Sequence, residues 1–230
     1  MPRYLLASTA VLALAAAAQP ALAEDVTDAR TSPLRTSTIA DGAPGSIAIT
    51  EDGSVTLTGG TAVTMDSNHA VSNAGEIAVS NGQAGILAQA GTQGDITNTG
   101  TITVDEPYAP EDEDNDGDLD GPFALGSNRY GIRTMGAHEG TITNSGEIAV
   151  QGNDSAGIAL GGPLTGDLVH DGETVVTGDR SVGIEAGDIS GDVRLAGTIR
   201  AQGEDAIGAR VSGDVGGAMV VQGTLAATGY

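Results

Sequence analysis

The chain contains no cysteine, no lysine and no tryptophan, and one phenylalanine and four tyrosines stand among its 230 residues. Without cysteine, no disulfide can brace the fold and no thiolate can serve as nucleophile or metal ligand. With so few aromatics, a sugar-binding cleft lacks the stacking platforms it normally uses. Basic residues number 9 against 31 acidic ones, for a net charge of -22. Such a chain repels nucleic acid and anionic lipid, and it attracts divalent cations. The G-x-S-x-G elbow, the G-x-G-x-x-G fingerprint and the P-loop are all missing. No segment after Ala23 keeps a helical period.

Long apolar runs are also scarce. The one present, Tyr4 to Ala18, is too short for a good transmembrane helix. It follows Met1-Pro2-Arg3 and precedes the small-residue site Ala21-Leu22-Ala23. A basic start, an apolar centre and an A-x-A end make residues 1–23 a secretory signal peptide. The mature chain then begins at Glu24 and is exported, to the cell surface, the outer membrane or the medium. Arg3 is the only charge the leader carries, so the remainder is one unit more negative.

High acidity with few aromatics can mark disorder, but this chain is a repeat. Gly-x-[Ile/Leu] recurs at Gly75, Gly100, Gly146, Gly197 and Gly223, and Gly172 shares the column with a polar third residue. A second column holds Gly85-Ile86, Gly131-Ile132, Gly157-Ile158, Gly183-Ile184 and Gly208-Ala209. A third holds Ile96, Ile142, Leu168, Val193 and Met219, each two residues after a glycine. All three share a spacing of about 25 residues, and all three take one longer step of 46. Self-similarity at such a period marks a solenoid. Each period carries three short alternating runs such as "EIAV", "AGILA" and "GDITN", which read as half-buried strands broken by Gly, Asn and Asp turns.

These features predict an all-β, right-handed parallel β-helix (β-solenoid) with coils of about 25 residues. Coils stacked at roughly 4.8 Å over 45–230 place Ile77, Ile102, Ile148, Ile199 and Leu225 in one interior ladder. Ile86, Ile132, Ile158 and Ile184 form another. Residues 24–44 are expected to be an N-terminal cap or linker. Asn73, Asn98 and Asn144 share a column that changes to His170, Leu195 and Val221. Stacked asparagines there would hydrogen-bond from coil to coil.

The phrases "VSNAGEIAVSN", "GDITNTGTITV" and "EGTITNSGEIAVQGNDSAGIAL" resemble the loose coils of autotransporter passenger regions, the type V secreted proteins of Gram-negative bacteria. The resemblance covers most of 45–230 and implies the same fold. It also implies a surface-exposed or secreted stalk or adhesin scaffold. The partner would be a surface or matrix ligand, or a second copy of the chain. Family members include proteases and esterases as well as adhesins and stalks. They end in a membrane β-barrel, which these 230 residues do not contain. Because "AMVVQGTLAATGY" continues the coil pattern rather than capping it, the natural chain is expected to run past Tyr230. Any contact with the outer membrane would then pass through that barrel.

The longer step reflects an insertion at 105–129, and within it lies "DEDNDGDLDG". Against the calcium loop D-x-[DN]-x-[DN]-G, Asp112, Asp114 and Asp116 take positions 1, 3 and 5. Gly117 takes the sharp turn at 6, Asp118 offers its carbonyl at 7, and Asp120 stands at 9. Phe123 replaces the bidentate Glu of an EF-hand and no helix flanks the loop. The expected ligand is Ca²⁺, held in the roughly 10⁻⁴–10⁻³ M range of extracellular modules. The plainer alternative is a solvated acidic loop. Tyr108, Phe123 and Tyr130 surround the insertion and are expected to pin its base to the rod.

An active site is harder to assemble. His69, His138 and His170 occupy unrelated places and read as polar surface residues. Asp167 and Asp192 share one column on neighbouring coils, as do Glu147 and Glu173. Carboxylates roughly 5 Å apart suit a retaining glycosidase, but stacking places any repeated residue at that distance. A carbohydrate-active β-helix enzyme is therefore the alternative to a non-enzymatic scaffold.

Overall fold

The computed structural model describes residues 23–112 and 120–229. The chain is a parallel β-helix with three faces. One period shows the plan: Val71–Asn73 lies on the first face, Glu76–Ser80 on the second and Ala84–Ala88 on the third. The next period repeats it one coil further on. Among the described residues the first and second faces are each eight strands long and the third is seven, with parallel pairing between successive coils.

Alternation explains why these runs become strands. In Glu147–Gln151, Ile148 and Val150 point inward and are buried, while Glu147, Ala149 and Gln151 point outward. A strand needs that period of two to bury one side only. The interior columns pair directly: Ile77 with Ile102, Ile102 with Ile148, and onward through Thr174 and Ile199 to Leu225. On the third face Ile86, Ile132, Ile158 and Ile184 stack in the same way. Each buried isoleucine contributes about 1.5–3 kcal/mol. With no disulfide present, these ladders supply most of the stabilisation.

The glycine columns follow from the narrow cross-section. A Cβ on Gly131 would overlap the Cγ2 of Ile148, and one on Gly157 would overlap that of Thr174. The second and third faces meet at this point, and only hydrogen fits between them. At the turn before the second face, a Cβ on Gly146 would strike the carbonyl oxygen of Gly100 on the coil beneath.

The asparagine column is a buried ladder. Asn73 Nδ2 donates to Asn98 Oδ1 (2.8 Å), and Asn98 Nδ2 donates to Asn144 Oδ1 (2.7 Å). All three are essentially buried. His170 continues the column, and Leu195 and Val221 follow it. At the other end Ile49 pairs with Asn73. An isoleucine has no donor to offer, and Asn73 Oδ1 is left without a hydrogen bond.

The segment read as a cap or linker forms a coil of its own. Ala23–Val26, Ala29–Arg30 and Leu34–Arg35 pair in parallel with the strands of the coil that follows. The runs are short and the alternation in "EDVTDARTSPLR" is weak, so the sequence pattern alone did not reveal them. Val26 and Leu34 are buried at this end, and Ile39 packs against the same core. At the other end of the described stack Met219, Val221 and Leu225 hold interior columns, yet they are 51%, 51% and 39% exposed. Among the described residues no helix is long and apolar enough to cross a membrane.

Candidate functional site

Successive coils turn from the second to the third face through a short corner. In five of these corners one non-glycine residue has positive φ: Asn81, Asn128, Asp154, Arg180 and Asp205. The insertion is spliced into this corner. It leaves after the strand Thr101–Asp105 and rejoins the common turn at Asn128, just before Tyr130–Thr134. The flanking strands therefore keep the register of every other coil.

A buried ion pair closes the base. Arg129 Nη2 lies 3.0 Å from Glu106 Oε2, with the two side chains only 7% and 6% exposed. Glu106 also accepts the backbone N–H groups of Leu125 (2.6 Å) and Gly126 (2.9 Å). Arg129 Nη1 donates to the Gln151 carbonyl (2.7 Å). Burial pushes the Glu106 carboxyl upward. The Leu125 N–H, Arg129 and the Gly126 N–H outweigh that and hold it below the ordinary range. A buried carboxylate needs such a set of donors to remain charged.

The next coil holds the loop in place. Gln151 Nε2 donates to the Tyr108 carbonyl (2.9 Å) and the Phe123 carbonyl (3.2 Å), and Asn153 Nδ2 donates to Ala124 (3.0 Å). Tyr108 donates its hydroxyl to the Pro122 carbonyl (2.8 Å), and Phe123 is buried. Two of the three aromatic rings thus brace the insertion. Tyr130 does not: it packs on the third face with Ala156 and Val182, beneath the Arg133 guanidinium at 4.0 Å. The charged and amide residues Glu106, Arg129, Gln151 and Asn153 do most of the holding. Nothing in their periodicity announced that role.

Of the five carboxylates assigned to calcium, Asp114, Asp116 and Asp118 lie outside the described residues. Asp112 and Asp120 flank them. The Asp120 N–H donates to the Glu111 carbonyl at 2.9 Å, so the two ends of the acidic run are drawn together. Among the described residues no group of three or more His, Asp or Glu side chains is arranged around one point.

Beside the insertion is a groove of about 340 Å³. Tyr108, Ala109 and Pro110 form its wall, and Ala149 and Val175 of the second face form its apolar floor.

The paired carboxylates have another occupation. Asp167 Oδ1 accepts the Asp192 N–H (2.7 Å), and Asp192 Oδ1 accepts the Ala218 N–H (2.7 Å). The same coil-to-coil bond joins Asp95 to Thr141, Asp179 to Glu204 and Asp188 to Asp214. These aspartates fix turns. Glu147 and Glu173 pair on the outer surface of the second face.

Two of the three histidines are interior, contrary to the surface reading. His138 is 3% exposed, with Nε2 3.0 Å from the Gly94 carbonyl and Nδ1 3.1 Å from Thr92 Oγ1. His170 is fully buried, with Nδ1 2.8 Å from the Ala196 carbonyl and Nε2 2.9 Å from Thr174 Oγ1. Carbonyls only accept, so the proton sits on Nε2 of His138 and on Nδ1 of His170. Burial lowers the pKa of both. His69 stays near the surface, with Nδ1 3.0 Å from Ser67 Oγ.

The fold and its mounted loop define a parallel β-solenoid protein with a single braced insertion. The sequence matches no family model, and no curated protein or solved structure gives a match.

Proposed function

We propose that the protein is an exported β-helical passenger segment of the autotransporter kind. It serves as a stalk or adhesin scaffold that presents the 105–129 insertion at the cell surface. The observation that carries this reading is the mounting of the insertion. A buried ion pair and three side-chain bonds from Gln151 and Asn153 fix a surface loop on a rigid rod. Loops on rigid scaffolds are where binding residues concentrate. The partner is a surface or matrix ligand or a second copy. Outer-membrane attachment would be made through a barrel that is not in these residues.

Calcium belongs to the same proposal. Asp112, Asp114, Asp116, Asp118 and Asp120 supply the oxygens in this reading, and the bond from Asp120 to Glu111 supports it by holding the loop's two ends together. A cation there would neutralise carboxylates that otherwise repel. It would also favour folding only outside the cell, since a ligand that binds the native state alone stabilises it.

The test is antibody labelling of the insertion on intact cells, with the intact mass measured in outer-membrane and culture fractions. Surface labelling of a chain beginning at Glu24 is expected. A cytoplasmic chain that keeps residues 1–23 would sink the proposal. For calcium, a higher melting temperature in calcium than in chelator is expected, abolished by D114N/D116N. Identical melts would remove calcium from the reading.

A further inference from the structure

The described residues include eight arginines, and seven have a visible partner. Arg30, Arg35, Arg129, Arg180, Arg194 and Arg210 each pair with a carboxylate, and Arg133 lies over Tyr130. Arg200 has neither. In a chain where 31 acids face 9 bases, an arginine without a carboxylate is unexpected. The reason is local. Its strand, Thr198–Gln202, contains no acid, nor does the neighbouring Thr224–Thr228. Glu173 stands diagonal to it by register and makes no ion pair with it.

Arg200 is also placed beside the groove. It pairs with Val175 on the adjacent strand, and both point outward from the second face. Val175 is floor to the groove that Tyr108 and Pro110 overhang. The groove's floor runs along the rod axis through Thr103, Ala149 and Val175, and the exposed Arg200 is the next residue in that row. Asp105 lines the groove three coils away, roughly 14 Å at the inter-strand spacing. An anionic head is repelled at that end and attracted at the other.

We propose that this groove binds a linear monocarboxylate, its apolar tail over Ala149 and Val175 beneath Tyr108 and its carboxylate on Arg200. The site is independent of where the protein is displayed and of whether the acidic run takes calcium. Guanidinium and carboxylate form a two-pronged, charge-assisted pair, and a pocket of this size lies at the small-ligand end of the usual range.

The probe is decanoate, below its micelle concentration, titrated into the full chain by amide chemical shift. Saturable binding is expected, with shifts at Thr103, Ala149 and Val175 and weakening at high salt. R200Q should weaken it roughly ten-fold or more. A149F, which fills the groove from an outward position, should abolish it. Thermal melts of both variants check that the rod is intact. Decylamine, with the same tail and opposite charge, should bind far less well. Absence of saturable binding, equal binding of decylamine, or an unchanged affinity in R200Q would overturn the proposal.

Discussion

Replacing Arg129 with methionine is the most direct test of how the insertion is held. Methionine keeps much of the aliphatic volume and removes both the bond to Glu106 and the one to the Gln151 carbonyl. Glu106 then remains a buried carboxylate with two backbone donors, Leu125 and Gly126. Breaking one partner of a buried pair costs about 3–5 kcal/mol, and the two remaining donors place this case near the lower figure. Adding Glu106→Gln removes the stranded charge, so the double variant should recover part of the loss. The assay is urea denaturation combined with amide hydrogen exchange at Leu125 and Gly126. Exchange should quicken at those amides before the coils open. A loss within about 0.5 kcal/mol, typical of an exposed pair, would refute the reasoning.

Asn98→Leu should destabilise the rod by about 2–3 kcal/mol in denaturant, because Asn144 Oδ1 loses its donor and Asn73 its acceptor. Gly131→Ala should cost about 2–3 kcal/mol through overlap with Ile148, whereas Gly187→Ala meets nothing and should stabilise by about 0.4–1 kcal/mol. Acid should weaken the fold in two stages, read from melting temperature against pH. The pKa values of His138 and His170 are lowered by burial. The unfolded chain thus binds more protons below about pH 6.5, and stability falls from there at up to about 1.4 kcal/mol per pH unit per histidine. H170Q should reduce the slope of that stage to the contribution of His138. The pKa of Glu106 is also depressed, so its contribution is present above the ordinary carboxylate range and is lost as pH falls through the lowered value.

The coil plan was legible because a solenoid writes its contacts into the sequence at one spacing. The registers of Ile102 on Ile148 and Ile132 on Ile158 are the spacings of the columns themselves. What stayed hidden does not repeat. The first coil, at 23–35, has short strands with little alternation. His138 and His170 are buried only because Gly94, Thr92, Ala196 and Thr174 meet their nitrogens, and those partners come from other turns and strands. Glu106 and Arg129 find each other because the chain returns to its corner, and no local pattern marks two charges so separated as partners. The stacked Asp167 and Asp192 were visible as a column. Their engagement by the backbone of the following coil required the turn geometry.

The bonds that tie coil to coil take no notice of the insertion. Asn98 reaches Asn144, and Asp95 accepts the Thr141 N–H, across 46 residues. Elsewhere Asn73 reaches Asn98, and Asp167 accepts the Asp192 N–H, across 25. Loop closure grows only logarithmically with length, by about 0.6 kcal/mol per doubling. The corner between the second and third faces is thus a socket. A foreign segment spliced between Pro110 and Pro122 would keep the Glu106–Arg129 pair and the bonds from Gln151 and Asn153, and the rod could be used as a mount for peptides of unrelated sequence.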